Sequence, residues 1–201
     1  MVIVSCLFLA PLSILAQGQP RVEIAPFVGY RFGGSVGDTS SAARYGIDGA
    51  RSEGVTISVP VYSRRAVELL FSRQDTGVDV AGFPGTTRYD LIIEHWMVGS
   101  VGEFPGERGH VRPFVAGYLG LTKIRSGNSS TPSNSYASAA LGGGVKLELA
   151  TDVCVRLDAR AYAIFARGGA GAICGPGGCA AAFTGSAMFQ GEVAASLVLK
   201  L

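Results

Sequence analysis

Only two histidines occur in the chain, His95 and His110. Neither stands with a Ser or Cys and a carboxylate at a spacing that would make an activated nucleophile. Asp90 and Glu94 have a spacing that invites acid–base chemistry, but ion pairing is the simpler use of both. The glycine-rich run "GGAGAICGPGG" is not followed by the Lys-Ser/Thr that a phosphate-cradling loop requires. The cysteines are Cys6, Cys154, Cys174 and Cys179. In Cys174-Gly-Pro-Gly-Gly-Cys179 four flexible residues separate two thiols, so a disulfide closing a small loop is expected if the chain is exported. No His lies nearby and no second Cys pair exists, which argues against zinc. The residues therefore predict no catalytic site, no metal and no cofactor, and the chain reads as a non-enzyme.

The charges do something else. The set Glu23, Arg31, Glu68, Asp90, Glu94, Arg112, Lys146, Glu148, Arg156, Asp158, Arg160 and Glu192, with Lys200, is scattered singly along alternating segments. Charged residues make up 16% of the 201 residues, below the usual ~25%, and mean hydropathy is +0.33. The formal net charge is +2, and no basic stripe with interleaved aromatics occurs, so no nucleic-acid partner is expected.

The elements that carry these charges have a period of two, not 3.6. Eight strands are predicted, at about 21–32, 54–61, 65–73, 88–102, 111–123, 139–149, 153–163 and 187–201. The clearest sets Val153, Val155, Leu157, Ala159 and Ala161 against Arg156, Asp158, Arg160 and Tyr162. The least clean is the fourth. There Leu91, Ile93 and Met97 oppose Asp90 and Glu94, yet Ile92, Trp96 and Val98 share the acidic parity, and a bulge would shift the faces. Short connections at 62–64, 104–109 and 150–152 alternate with long ones at 33–51, 74–87, 124–135 and 164–186. Short turns at one end and long loops at the other are the layout of an outer-membrane barrel, with the short turns in the periplasm.

Alternation alone does not separate a soluble barrel from one in lipid, since both have one apolar face. In a membrane barrel the charged face lines the lumen. The polar parity carries acids and bases in near balance, which suits a closed interior where unpaired charge is very costly. Eight strands leave an interior just wide enough for side chains to fill. An ion-pair network closing the lumen is therefore expected.

Residues 2–15 are nearly all apolar and too few to span a bilayer as a helix. They read as the core of a secretory signal, with cleavage after Ala16, leaving 17–201 as the barrel domain. The last strand carries Val193, Ala195, Leu197, Leu199 and Leu201 on one face.

The first strand "VEIAPFVGYRFGG", the hairpin "GEFPGERGHVRPFVAGYLGL", the strand "GGGVKLEL" and the final "QGEVAASLVLKL" together resemble the small eight-stranded outer-membrane β-barrels, the group with the OmpA transmembrane domain, OmpX and OmpW. The resemblance covers about residues 21–201 and implies an all-β, antiparallel up-and-down transmembrane barrel. It implies residence in the outer membrane of a Gram-negative-type bacterium, contact with its lipid, and recognition of the C-terminal strand by the barrel-insertion machinery. The family usually ends in Phe, where this chain ends in Leu201. The lipid A deacylases of this barrel size carry a His followed two residues later by Ser, and neither His95 nor His110 has that neighbour. The expected role is structural or surface-interacting, through the long loops. The alternatives are a narrow channel for small apolar molecules and a soluble periplasmic lipocalin-like binder.

Overall fold

The computed structural model describes residues 21–38, 44–82, 85–106, 110–127, 133–165, 172–175, 178–182 and 187–201. The expected leader lies outside the described residues. In chain order the strands are β1 (Glu23–Phe32), β2 (Ser35–Asp38), β3 (Arg44–Gly46), β4 (Ala50–Tyr62), β5 (Arg65–Gly82), β6 (Gly85–Glu103), β7 (Val111–Ser126), β8 (Asn134–Ala150), β9 (Val153–Phe165), β10 (Ala172–Gly175), β11 (Gly178–Ala182) and β12 (Met188–Lys200). Eight of them close into an antiparallel barrel in the order β1-β12-β9-β8-β7-β6-β5-β4. Each predicted strand corresponds to one stave. The other four, β10-β11-β2-β3, form a separate small sheet built from two of the long connections.

The pairing fixes the stagger of the barrel. From Val28, the row of paired residues runs through Glu53, Arg73, Glu94 and Lys123 to Ser135 on β8. In the other direction it runs through Ala195 and Leu157 to Val145 on the same strand. The two routes meet β8 ten residues apart. For eight strands that stagger gives a tilt of roughly 45°. The ten residues of β1 then span about 24 Å along the axis, the height of a membrane-spanning apolar band.

Alternation decides which side chains face that band. Leu69, Val98, Leu119, Leu141, Val193 and Leu197 are among the large apolar side chains on the outer wall, and Leu141 is 73% exposed. The opposite parity is buried even where it is charged: Arg31, Glu68, Arg156 and Glu192 are all at or below 1% exposure.

Two sequence expectations need correction. Residues 74–82 and 85–87 are strand and not loop. β5 and β6 pair in unbroken register from Arg65 opposite Gly102 to Gly82 opposite Gly85. Their Asp, Thr and Gly content reads as turn composition, but this part of the hairpin rises about 20 Å beyond the apolar band, where a strand needs no apolar outer face. The second correction concerns β6. Its register has no bulge, so Leu91, Ile93, His95 and Met97 point inward while Trp96 and Val98 point outward.

Candidate functional site: the barrel lumen

The lumen has three layers. At the end with the short turns, Lys146 from β8 is held between Glu23 at 2.7 Å and Glu103 at 2.5 Å. Arg112 bonds Glu148 and also reaches Glu103 at 3.3 Å, and Lys200 joins Glu148 at 3.1 Å. Three bases from three strands meet three acids, so the layer is neutral.

The middle layer is drier. Glu68 accepts from Arg156 at 2.7 Å, from Ser58 at 2.5 Å and from the Tyr118 hydroxyl at 2.6 Å. Arg156 also donates to Asp158 at 2.8 Å, and Asp158 pairs in turn with Arg160 at 2.7 Å. Glu192 accepts from Arg160 at 3.1 Å, Arg31 at 2.9 Å, Tyr162 at 2.5 Å and Ser72 at 3.3 Å. The chain of contacts thus runs Glu68–Arg156–Asp158–Arg160–Glu192–Arg31, again three acids against three bases. Each guanidinium also lies over a ring: Arg156 over Phe114 at 4.3 Å, Arg160 over Phe27 at 4.6 Å and Arg31 over Tyr162 at 5.0 Å. A buried ion is tolerable only when its partner and its remaining hydrogen bonds are both supplied. Here carboxylates, hydroxyls and ring faces supply most of them, while Arg31 Nε and Nη1 and Arg160 Nε are buried with a ring face but no hydrogen-bond acceptor. His95 stacks on Tyr162 with centroids 4.2 Å apart, and its Nδ1 lies 2.7 Å from the Thr122 hydroxyl.

Gly99 makes room for this layer. A Cβ there would press onto the Gly117 carbonyl oxygen and come within 2.5 Å of Tyr118 Cδ1. Gly99→Val should therefore push the Tyr118 ring off Glu68 and cost about 1–3 kcal/mol, the usual range for overpacking. A urea titration of the folded barrel measures it. An unchanged midpoint would mean that Tyr118 relaxes without loss.

The third layer, toward the long loops, is apolar. Ile47, Val78, Val80, Leu91, Ile93, Ile124, Tyr136, Ile164 and Met188 form one buried cluster, with Tyr45 and Tyr89 against it. Ile47 comes from the segment between β3 and β4 and bridges to Val78 on the projecting hairpin. A long connection thus folds inward over the mouth.

Ten of the twelve charged residues singled out from sequence take part in the two polar layers. They are Glu23, Arg31, Glu68, Arg112, Lys146, Glu148, Arg156, Asp158, Arg160 and Glu192. Asp90 and Glu94 do not. Asp90 is an exposed partner of Arg88 beyond the barrel, and Glu94 stands on the outward parity of β6, bonded to Arg125 at 2.6 Å. Polar parity marks the lumen only where the lumen is polar. Within the apolar layer Leu91 and Ile93 take the inward positions, and the acids fall outside. His95 was missed for the same reason, since it belongs to the inward parity of β6, and Glu103 because the expected strand stopped one residue short of it. Cys174 and Cys179 are backbone partners across the β10–β11 hairpin, and their side chains lie outside the described residues. Among the described residues, no group of His, Cys, Asp and Glu is arranged to hold a metal ion.

The chain matches no family model, and no curated protein matches it in sequence. Solved structures do match it. Neisserial surface protein A aligns over 90% of this chain and 97% of its own, at 11% identity and a TM-score of 0.62. The N-terminal β-barrel domain of Pseudomonas aeruginosa OprF aligns over 91% of this chain and 100% of its own, at 16% identity and a TM-score of 0.48. Ail, the attachment invasion locus protein of Yersinia pestis, solved in complex with the heparin analogue sucrose octasulfate, aligns over 89% of this chain and 99% of its own, at 12% identity and a TM-score of 0.46. At such identities the likeness is one of fold. Closed eight-stranded antiparallel topology and an apolar outer wall together make this the fold of the small outer-membrane β-barrels.

Proposed function

We propose that the chain is an exported, non-enzymatic outer-membrane barrel with a structural or surface-interaction role. Its lumen is closed, and its contacts are made by the long-loop end. The observation that carries this reading is the filling of the lumen: two neutral ion-pair layers beneath an apolar one. A conducting path would have to break buried ion pairs and part the Ile47–Val78 contact. Catalysis finds no support in the histidines. His95 is fully buried beside Thr122, and His110 is exposed on the turn before β7.

Two assays test it together. In membrane fractions the folded chain should resist SDS at room temperature and shift on a gel after boiling. In planar bilayers it should add no steady conductance above background. A stable conductance would favour the narrow-channel alternative. A chain extracted into buffer without detergent, with one band under both conditions, would favour the lipocalin-like one.

Residues 1–16 act in this reading as the export signal, and β12 is the strand presented to the insertion machinery. The Cys174–Cys179 disulfide is part of the same proposal, supported by their pairing across the hairpin. Under non-reducing conditions the peptide spanning residues 172–182 should be lighter by a pair of hydrogens than after reduction. Free alkylatable thiols at both positions in exported protein would remove the disulfide from the proposal.

A further inference from the structure

The outer wall is not uniform around the barrel. On β8, β9, β12 and β1 the outward parity carries no charge within the strands, and its upper end bears Tyr30, Phe32, Phe165 and Phe189. On β4 to β7 the outward parity changes abruptly. Val55, Phe71, Trp96 and Leu121 are paired side by side across four strands as one apolar row. Directly above them, Glu53, Arg73, Glu94 and Lys123 are paired side by side as a charged row. Arg51, Asp75 and Arg125 stand one outward step higher.

With the tilt set by the stagger, each residue along a strand rises about 2.4 Å and each step across the sheet about 3 Å. This puts Arg51, Glu94 and Lys123 near the level of Phe32 and Phe189 across the barrel. They occupy the height of the headgroup interface, where aromatic girdles normally sit.

Below the charged row lies a groove of about 490 Å³, lined chiefly by Val55, Ile57, Leu69, Phe71, Trp96 and Leu119. Phe71 and Trp96 form one of its walls, with ring centroids 4.4 Å apart. Above it, Arg73 is paired with Asp75 and Arg125 with Glu94. Arg51 and Lys123 form no ion pair among the described residues. Arg51 and Lys123 thus stand at headgroup height as two cations outside any ion pair among the described residues, against one acid outside any such pair, Glu53, lower on the same face. This leaves an excess of one positive charge over an apolar groove that opens sideways into the bilayer.

We propose that the β4–β7 face is a docking surface for a phosphate-bearing membrane lipid. One acyl chain lies in the groove against Trp96, and the headgroup phosphate is held by Arg51 or Lys123. Charge complementarity selects this occupant over a neutral lipid. Shape selects it over a second copy of the chain, because the convex wall of another barrel leaves a concave groove unfilled while an acyl chain lies along it. The proposal rests on the membrane reading above.

Trp96 is the chain's single tryptophan, so its fluorescence reports this groove alone. The full chain is reconstituted in phosphatidylcholine vesicles in which a fraction of the lipid is replaced by brominated phosphatidic acid or, separately, by brominated phosphatidylcholine with the same chains. Brominated chains quench a tryptophan that they touch. Phosphatidic acid should quench at a lower mole fraction, with a preference of roughly fivefold for each cation engaged. Arg51→Gln with Lys123→Gln should bring the preference near one and leave quenching by phosphatidylcholine unchanged. Arg21→Gln, at the other end of the barrel, should keep the preference.

Equal quenching of the native chain by both lipids would overturn the proposal and make this face ordinary annular contact. Quenching by neither lipid in a chain that cross-links as a dimer would overturn it in favour of a second copy. Quenching by neither in a chain that stays in buffer would instead overturn the membrane reading itself.

Discussion

Glu192→Ala should lower the stability of the barrel by about 3–5 kcal/mol, the range for removing one partner of a buried ion pair. The Glu192 side chain has no exposed surface, and neither has that of Arg31. Its two oxygens accept from Arg31, Arg160, Tyr162 and Ser72. Removing it leaves the middle layer with one base in excess and at least two orphaned donors, in a space too narrow to hydrate them freely. The loss is therefore the cost of stranded charge and not the net worth of the pair. A second variant separates the two: Glu192→Met with Arg31→Met removes both signs together and should recover much of the loss, because apolar replacement of a whole buried pair is often neutral. Arg21→Ala, by contrast, breaks a pair whose side chains are more than half exposed and should change almost nothing. Urea unfolding in vesicles, followed by Trp96 fluorescence, measures all three. A Glu192→Ala midpoint equal to the native one would show that the middle layer is hydrated, and the closed-lumen proposal would go with it.

Why these charges were legible in the sequence is a matter of period. A strand that separates lipid from a polar interior must alternate strictly, and β9 does so without exception from Val153 to Phe165. The same logic located Arg31, Lys146 and Glu192. It failed on β6, where the interior changes from polar to apolar partway along the strand. Once Leu91 and Ile93 face a buried apolar cluster, both parities of β6 are apolar, and periodicity no longer says which is inside. Only the unbroken pairing with β5 and β7 resolves it. The hairpin beyond the membrane band escaped for a related reason. Residues such as Asp75, Asp79 and Arg88 face water there, so the outer parity has none of the apolar character that identified strands elsewhere. The small sheet of β10, β11, β2 and β3 joins segments distant in sequence, each too short to show a period of its own. The charged row on β4 to β7 was visible residue by residue, but it becomes a row only when the register aligns four strands.

Leu141→Arg is the substitution that most sharply separates a barrel in lipid from the same barrel in water. Leu141 lies near the middle of β8 on the outer wall and is 73% exposed. In water, an exposed Leu changed to Arg alters stability little. At the midplane of a bilayer the same change costs about 2–4 kcal/mol, because the guanidinium must be drawn toward the interface or hydrated by a local defect. Depth supplies the internal control. Phe189 is comparably exposed but sits at the upper end of β12, and Phe189→Arg should cost only about 0–1 kcal/mol beyond the lost ring contacts. Both arginines start from side chains with no polar partner to lose, so depth is the main variable between them. The measurement is the urea midpoint of each variant folded into vesicles, repeated in a short-chain micelle. A large cost for Leu141→Arg in vesicles that shrinks in the micelle, with Phe189→Arg near neutral in both, is the signature of an apolar band at that height. Equal and small effects at both positions would place this wall in water and turn the apolar face of the barrel into a soluble binder's surface.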